Sequence, residues 1–265
     1  MSKLMESIDE QNIVVSDNDV AEAQKMEVDT AGTQSKPITI IFCIVGSTFS
    51  SEFLRSWTEL FAFCITNNIN PVLSSAGSEH GLNARNVCLM GNPRKGPSQQ
   101  PFDGKAVYDY LMWIGSNVVF TVDMFKRLLS HNMDIVSGSY ARADLKTFDM
   151  VMQLSQQHLL QHGMFEYMTR EKLDEIRKNM GDEIKPMEVE YSGMDFMLMK
   201  RGVMEKLMYP WFRPSMTTLQ NEEGDVIMQQ PNNDAQTFCS TARQAGFKIM
   251  VDPAIVLGLQ KSVVV

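Results

Sequence analysis

An unbroken apolar segment, Ile38–Val45, constrains the fold of this chain more than any other stretch. Its eight residues, ITIIFCIV, contain no charged side chain. A strand with one solvated face alternates apolar and polar residues, whereas a strand covered on both faces is apolar almost throughout. The segment therefore predicts a central strand of a parallel sheet, with helices packed against both of its faces.

The following segments alternate between helical and extended patterns. Apolar residues recur every three or four positions after Ser50 and Ser51, which predicts a helix capped by one of these serines. Further strands are predicted at 71–74, 110–114 and 133–137, and further helices at 79–90 and from about Thr121. This alternation predicts right-handed crossovers and an α/β domain, with a mainly parallel central sheet and helices on both faces.

The second half of the chain has a less regular pattern. Asn233 or Asp234 begins the last predicted helix, and Gly246 ends it. Three prolines and three glycines in the segment 91–105 predict an irregular loop. The other predicted elements are helices at 148–163, 169–179 and 201–208, strands at 187–191, 248–251 and 255–257, and a hairpin formed by 216–219 and 226–228.

Residues 1–36 differ in composition from the rest of the chain. They contain eight acidic residues against three lysines, and few large apolar side chains. Such a segment does not bury enough apolar surface to fold alone. We therefore predict an acidic, flexible N-terminal arm, 1–36, before a single domain, 37–265.

Charge and cysteine usage argue against several classes of protein. A net charge of −8 disfavours nucleic acid as a partner, and no apolar run reaches the roughly 18 residues that span a membrane. The N-terminus has no apolar core or cleavage site of a secretory signal. The four cysteines lie in apolar contexts without metal-ligand spacing, which predicts reduced core thiols in a cytoplasmic protein.

A series of short motifs runs along residues 38–261 in a fixed order. They are IFCI at 41–44, SWTELF at 56–61, ARN at 84–86, PFDGK at 101–105, DIVSG at 134–138, RGV at 201–203, YPWF at 209–212, AGFKI at 245–249 and VDP at 251–253. In this order they resemble glycosyltransferases of the GT-A (Rossmann-like) fold, especially a set from large DNA phages and viruses. The resemblance implies a single domain that binds a nucleotide sugar or a glycan acceptor. It also implies a location in a host cytoplasm or a virion, with the arm 1–36 bound to a virion protein or to another copy.

The chain departs from that family where the family's chemistry lies. The family has an Asp-x-Asp motif whose acids hold a divalent metal on the sugar-nucleotide pyrophosphate, and this chain has Gly115, Ser116 and Asn117 there. Leu259 stands where the family often has a metal-binding histidine, and Asp195 stands where it has a glycine. Because Mg²⁺ and Mn²⁺ prefer hard anionic oxygens, we expect no metal ligands and no cofactor. Manganese would bind only if the degraded site retained affinity for it.

The resemblance also implies roles for the remaining polar residues. Asp234 is the candidate general base that deprotonates an acceptor hydroxyl, although an aspartate at this position also predicts a helix cap. His158 and His162 lie four residues apart on a predicted helix, but without a third ligand they indicate a solvated helix face. The candidate donor-binding residues are Arg85, Asn86, Ser116, Asn117, Lys95 and Lys261, with Arg94 and Lys105 as further cations.

Two functions remain open at this point. The first is a glycosyltransferase-like pseudoenzyme with a degraded metal site, which binds a sugar nucleotide or glycan or serves as a virion component. The alternative is an active, metal-independent glycosyltransferase of the hexosyltransferase class, which transfers a sugar from a nucleotide-sugar donor to a glycan or protein.

Overall fold

The fold is given by a computed structural model that describes residues 36–77 and 83–260. In chain order, its strands are β1 (Ile38–Val45), β2 (Ile69–Ala76), β3 (Tyr110–Gly115), β4 (Val118–Val119), β5 (Ile135–Ser139), β6 (Met150–Val151), β7 (Met187–Val189), β8 (Tyr191–Ser192), β9 (Phe196–Lys200), β10 (Ser215–Gln220), β11 (Val226–Asn232), β12 (Ile249–Val256) and β13 (Gly258–Leu259). The α-helices are α1 (Ser51–Thr66), α2 (Ala84–Cys88), α3 (Val122–His131), α4 (Gln156–His162), α5 (Arg170–Met180), α6 (Val203–Lys206) and α7 (Asp234–Gln244).

Seven strands form the central sheet, in the order β2-β1-β3-β9-β5-β12-β7. Strands β2, β1, β3, β5 and β12 run in one direction, whereas β9, near the middle, and β7, at one edge, run antiparallel to their neighbours. The prediction of an α/β fold with a mainly parallel central sheet is therefore confirmed. Strand β9 matters for the site, because its reversed direction brings its first residues to the edge where β1, β3 and β5 end.

Apolar side chains cover both faces of the sheet, as the composition of β1 predicted. Phe42 is fully buried on one face, where it packs against Trp57 of α1 and Phe125 of α3 with ring centroids 5.3 Å and 5.9 Å away. Cys43 is fully buried on the opposite face, in the core cluster that also contains Phe238 of α7. Helices on both sides of the sheet therefore exclude water from β1.

Side-chain caps fix the starts of the helices that the sequence predicted. The Ser50 hydroxyl accepts a hydrogen bond from Phe53 N at 3.0 Å, so Ser50 rather than Ser51 caps α1. The Thr121 hydroxyl caps α3 in the same way. Asn233 and Gln236 form a reciprocal capping box at the start of α7. Asp234 is consequently the first residue of α7 and not its cap.

Several predicted elements have different bounds in the structure. The helix predicted at 148–163 is wrong in its first half, because Phe148 and Met150 are buried in an extended segment and α4 begins only after the cap Ser155. Two short strands predicted at 248–251 and 255–257 are one strand, β12, with a register shift after Val251. The predicted loop 91–105 contains two single-turn 3₁₀ helices, Pro93–Lys95 and Pro101–Gly104.

Three sequence predictions concern residues that the structure leaves undescribed wholly or in part. The arm 1–36 lies outside the described residues except for Lys36, and Lys261 lies outside them entirely. Of the helix predicted at 79–90, residues 79–82 are outside and only α2 is helical within the described part. Within 36–77 and 83–260, no helix has the length and apolar character needed to cross a membrane. All four cysteines are buried and unbridged, as predicted.

Candidate functional site

The candidate site lies at the edge of the sheet where the parallel strands end. Strand β1 ends at Val45 and β3 at Gly115, whereas the antiparallel β9 begins there, directly after Asp195. Loops that follow the carboxyl ends of parallel strands are the usual location of ligand sites in open α/β sheets. We call this region the carboxyl-edge site.

Gly115 and Asp195 form the floor of the carboxyl-edge site. Gly115 N donates a hydrogen bond to the Asp195 carbonyl oxygen at 2.9 Å, which ties the end of β3 to the start of β9. A Cβ atom on residue 115 would stand 2.6 Å from Asp195 Cγ and 2.9 Å from Oδ1. The carboxyl group of Asp195 therefore occupies the space that any side chain at position 115 would need.

Arg85 connects this floor to helix α7. Its Nη1 lies 2.5 Å from Asp234 Oδ2, and its Nη2 lies 3.4 Å from Asp195 Oδ1. The side chains of Arg85, Asp195 and Asp234 are 18%, 25% and 15% exposed, so solvent still reaches the cluster. One guanidinium group thus pairs with two carboxyl groups from different parts of the fold.

Asn86 holds α2 in the position that this pairing requires. It is 2% exposed, and its side-chain amide donates to the Phe212 carbonyl at 2.6 Å and accepts from Phe212 N at 3.2 Å. Because Asn86 follows Arg85 directly, anchoring it fixes the origin of the Arg85 side chain. The structure therefore gives Asn86 a positioning contact with the backbone.

A second, partly buried carboxyl group, Asp149, lies beside the first cluster. The hydroxyls of Tyr140 and Tyr191 both donate to Asp149 Oδ2, at 3.0 Å and 2.9 Å, and Arg142 Nε lies 3.8 Å from Oδ1. A Cβ atom at Gly193 would stand 1.9 Å from the Tyr140 hydroxyl oxygen, so glycine is required there. The Arg142 guanidinium also stacks on an aromatic ring, with its Cζ 3.4 Å from the ring centre of Tyr167.

Burial raises the pKa of the carboxyl and phenol groups in these two clusters. It raises the pKa of Asp195 above its usual range, and the nearby charges of Asp149 and Asp234 raise it further, while Arg85 acts against them. Burial likewise raises the pKa of Asp149, although both tyrosine hydroxyls and Arg142 oppose this. The pKa values of Tyr140 and Tyr191 are well above the ordinary value for the same reason. At neutral pH the tyrosines are therefore hydrogen-bond donors, not phenolates.

The other predicted donor-binding residues are less close to this cluster. Ser116 is half-buried against Gly46, where an added Cβ would stand 2.4 Å from Ser116 Oγ. Asn117 has an exposed side chain, and its backbone carbonyl accepts from Gln260 N at 2.8 Å. Lys95 forms an ion pair with Asp103, in the loop before the amino end of β3. The structure thus brings Arg85 and Asp234 together and places Lys95 toward the other end of the sheet.

The site lacks the usual features of a divalent-cation centre. Among residues 36–77 and 83–260, no group of three or more His, Cys, Asp or Glu side chains is close enough to hold a metal ion. Leu259 lies in β13, paired with Val118 of β4, next to the turn that carries Asn117. His158 and His162 stack on each other on α4, with ring centroids 4.3 Å apart.

Sequence reasoning missed the Asp149 group. Tyr140 follows β5 directly, and this position at a strand end was an available signal, but Asp149 fell inside the first half of the predicted helix 148–163, which is not helical. Together the two groups bring carboxyl, guanidinium and phenol groups close to an aromatic ring. Side chains of these types accept and donate hydrogen bonds to hydroxyl groups.

The sequence matches no protein-family model and no curated protein.

Proposed function

We propose that this chain is a glycosyltransferase-like protein of the GT-A type that binds a glycan without a divalent cation and does not transfer sugar. The motifs that resemble that family, and a mainly parallel sheet with polar groups at its carboxyl edge, support the family assignment. The contacts of Arg85 with Asp195 and Asp234 support the proposed loss of metal-dependent chemistry. In this proposal the protein acts in a host cytoplasm or a virion.

The single observation behind the proposal is the Arg85 guanidinium between Asp195 and Asp234. A divalent cation in a transferase neutralises carboxylates and stabilises the departing pyrophosphate. Here the Arg85 side chain occupies the position between the two carboxyl groups and pairs with both, at 2.5 Å and 3.4 Å. The candidate base, Asp234, already pairs through Oδ2 with that cation, and its Oδ1 accepts from Ala235 N at 3.0 Å.

Charge at the site favours a neutral ligand over a pyrophosphate. Three carboxyl groups, Asp149, Asp195 and Asp234, face two guanidinium groups, Arg85 and Arg142. The carboxyl groups outnumber the cations, and partly buried charges interact strongly because the local dielectric is low. A nucleotide diphosphate would add negative charge here, whereas glycan hydroxyls would add hydrogen bonds without it.

Isothermal titration of the full chain with neutral oligosaccharides and with nucleotide sugars, each in EDTA and in manganese, tests the proposal. We expect at least one neutral glycan to bind equally in both buffers. Asp234→Asn and Arg85→Gln should weaken it at least about tenfold, roughly the loss of one charge-assisted hydrogen bond. Lys95→Ala, a change toward the other end of β3, should leave binding unchanged. Binding of nucleotide sugars alone, and only with manganese, would contradict the proposal.

An active metal-independent glycosyltransferase is the second candidate, and the position of Asp234 favours it. Asp234 is the first residue of α7, and its side chain remains 15% exposed, so an acceptor hydroxyl reaches it. Arg85 would then stabilise charge on the leaving group. Release of nucleotide from a donor panel in EDTA, abolished in Asp234→Asn, would establish this function. No turnover with any donor would leave the glycan-binding proposal standing.

A further inference from the structure

The edge strand β2 is the most unusual surface feature outside the carboxyl-edge site. Among the described residues β2 pairs with β1 alone, and its eight residues, INPVLSSA, carry no charge. Native proteins protect edge strands with charged residues or short lengths, because an open edge pairs with other chains. The opposite edge strand, β7, has three residues and includes Glu188, which is paired with Lys248 at 2.7 Å. Of the two edge strands of the central sheet, only β2 is long and uncharged.

The backbone of β2 directs half of its hydrogen-bonding groups away from the sheet. The Ala76 carbonyl accepts from Gly46 N, beyond the end of β1, at 3.0 Å, so even-numbered residues of β2 face β1. Because this direction alternates along a strand, Leu73 and Ser75 direct their N–H and C=O groups outward. Pro71, which has no N–H, also lies on the outward side, where an edge strand tolerates proline.

Helix α1 adds an apolar flank above this edge. Leu54, Phe61 and Ile65 are 51%, 41% and 61% exposed. At 100° per residue they lie on the side of α1 opposite to Phe63, which packs against Phe125 of α3 with ring centroids 6.3 Å apart. Because α1 packs on β2 and α3 lies on its other side, this flank faces the open edge of the sheet.

Leu73 extends this flank onto the strand itself. It is opposite Phe42 in the β1–β2 register, and Phe42 packs against Trp57 of α1, so Leu73 lies on the α1 face of the sheet. Its side chain is 54% exposed. We define the β2-edge patch as Leu54, Phe61, Ile65 and Leu73, together with the outward backbone groups of β2. Exposed apolar side chains grouped on neighbouring elements are typical of protein interaction sites.

We propose that the β2-edge patch binds a second copy of this chain about a twofold axis, with the two β2 strands paired antiparallel around Leu73. In this register, Leu73 of each copy donates its N–H to the Leu73 carbonyl of the other copy. Ser75 N–H donates to the Pro71 carbonyl of the other copy. Proline is tolerated at position 71 because this second hydrogen bond uses only its carbonyl group. The axis also places both α1 helices on the same face, where their apolar flanks cover each other.

Charge supports a second copy as the occupant. The chain carries a net charge of −8, but residues 1–36 account for −5 of it, so residues 37–265 are only weakly acidic and two copies of them repel each other weakly. The β2-edge patch has no charged member, and the backbone groups it offers are complementary to themselves about the twofold axis. Pairing two copies through this face therefore brings no like charges of the patch together.

Sedimentation velocity and light scattering on the full chain at micromolar concentrations test this proposal. We expect a dimer, with Leu73→Lys and Ile65→Lys each raising the dissociation constant at least about tenfold, because each buries two like charges across the axis. Leu160→Lys is the matched control, since Leu160 is 50% exposed on α4, outside the patch. A monomeric wild-type chain, or a dimer that both patch variants leave intact, would overturn the proposal.

Crosslinking tests the register separately. All four native cysteines are buried, so a short bis-maleimide should join two chains only through an added surface thiol. Leu73→Cys should give a crosslinked dimer in high yield, and Leu160→Cys should give none. A dimer that Leu73→Lys disrupts but Leu73→Cys does not crosslink would overturn the antiparallel pairing around Leu73.

Discussion

The backbone of Gly115 lies directly beneath the carboxyl group of Asp195, and the two residues exclude any larger side chain at position 115. An added Cβ would meet three atoms of Asp195 at 2.6–2.9 Å. In the resemblance to GT-A glycosyltransferases, residue 115 corresponds to an acid and residue 195 to a glycine. The structure shows the carboxyl group on Asp195, directly before the neighbouring strand β9, where it pairs with Arg85. Gly115 and Asp195 are therefore coupled, because the side chain of one fills the space that the other leaves open.

The first prediction concerns this steric coupling. Gly115→Ala should lower the free energy of unfolding by about 1–3 kcal/mol, because overpacking a closed site costs that much. The same change in an Asp195→Gly background should cost less by at least about 1 kcal/mol, since the colliding atoms are gone. Urea unfolding of the wild type, both single variants and the double variant measures the coupling energy. Additive effects would contradict direct contact.

The second prediction concerns the internal cation. Arg85→Ala leaves Asp195 and Asp234 without their shared partner, and we expect a loss of about 1–3 kcal/mol of stability at neutral pH, below the range for fully buried pairs because the groups are partly exposed. Two unpaired carboxylates also attract divalent cations. Manganese should therefore raise the unfolding temperature of Arg85→Ala and leave the wild type unchanged.

Thermal unfolding in EDTA and in manganese, with Arg94→Ala as the control, measures this difference. Arg94 is an exposed residue of the 3₁₀ turn Pro93–Lys95. A wild-type chain that manganese stabilises as strongly as Arg85→Ala would show that Arg85 does not exclude cations.

The third prediction is a pH dependence centred on Asp149. Its pKa is raised in the folded chain, mainly by burial, so folding favours the protonated form. The contribution of Asp149 to stability should therefore fall as pH rises from the unfolded value of about 3.9 through the folded pKa, and level off above it. Asp149→Asn keeps an oxygen that accepts from Tyr140 and Tyr191 but does not titrate.

The stability difference between Asp149→Asn and the wild type should consequently move in favour of the variant as pH rises. Urea unfolding at pH 4, 5, 6 and 8 measures it, spanning roughly the window above the unfolded pKa. Asp149→Ala, which loses both tyrosine contacts, should be less stable than Asp149→Asn at every pH. A difference that does not change with pH would mean that Asp149 titrates alike in both states.

The sequence predicted those parts of the fold that local signals determine. Apolar runs define β1 and β3, and the caps Ser50, Thr121 and Asn233 define three helix starts, because each depends on neighbours within one turn or strand. The Gly115–Asp195 contact depends on β9 entering the sheet antiparallel beside β3, a pairing between distant segments that no local pattern reports. Asp149 was missed because a short, mostly apolar segment such as 148–151 fits the pattern of a strand and of a helix equally well.

The last prediction concerns Asp252, a buried carboxylate that pairs with Arg127 and His131 of α3. Asp252 is fully buried in β12, and its carboxylate lies 2.5 Å from Arg127 Nε and 2.7 Å from His131 Nε2. It also accepts from Ala254 N at 2.9 Å, within the irregular part of β12. Asp252→Ala leaves these donors without the Asp252 carboxylate as acceptor, so we expect the free energy of unfolding to fall by about 2–4 kcal/mol.

The control variant is Asp123→Ala. It removes an exposed pairing with Lys126 on the same helix and should lower the free energy of unfolding by no more than about 0.5 kcal/mol. Equal losses for the two variants in urea unfolding would show that burial of Asp252 does not decide its contribution.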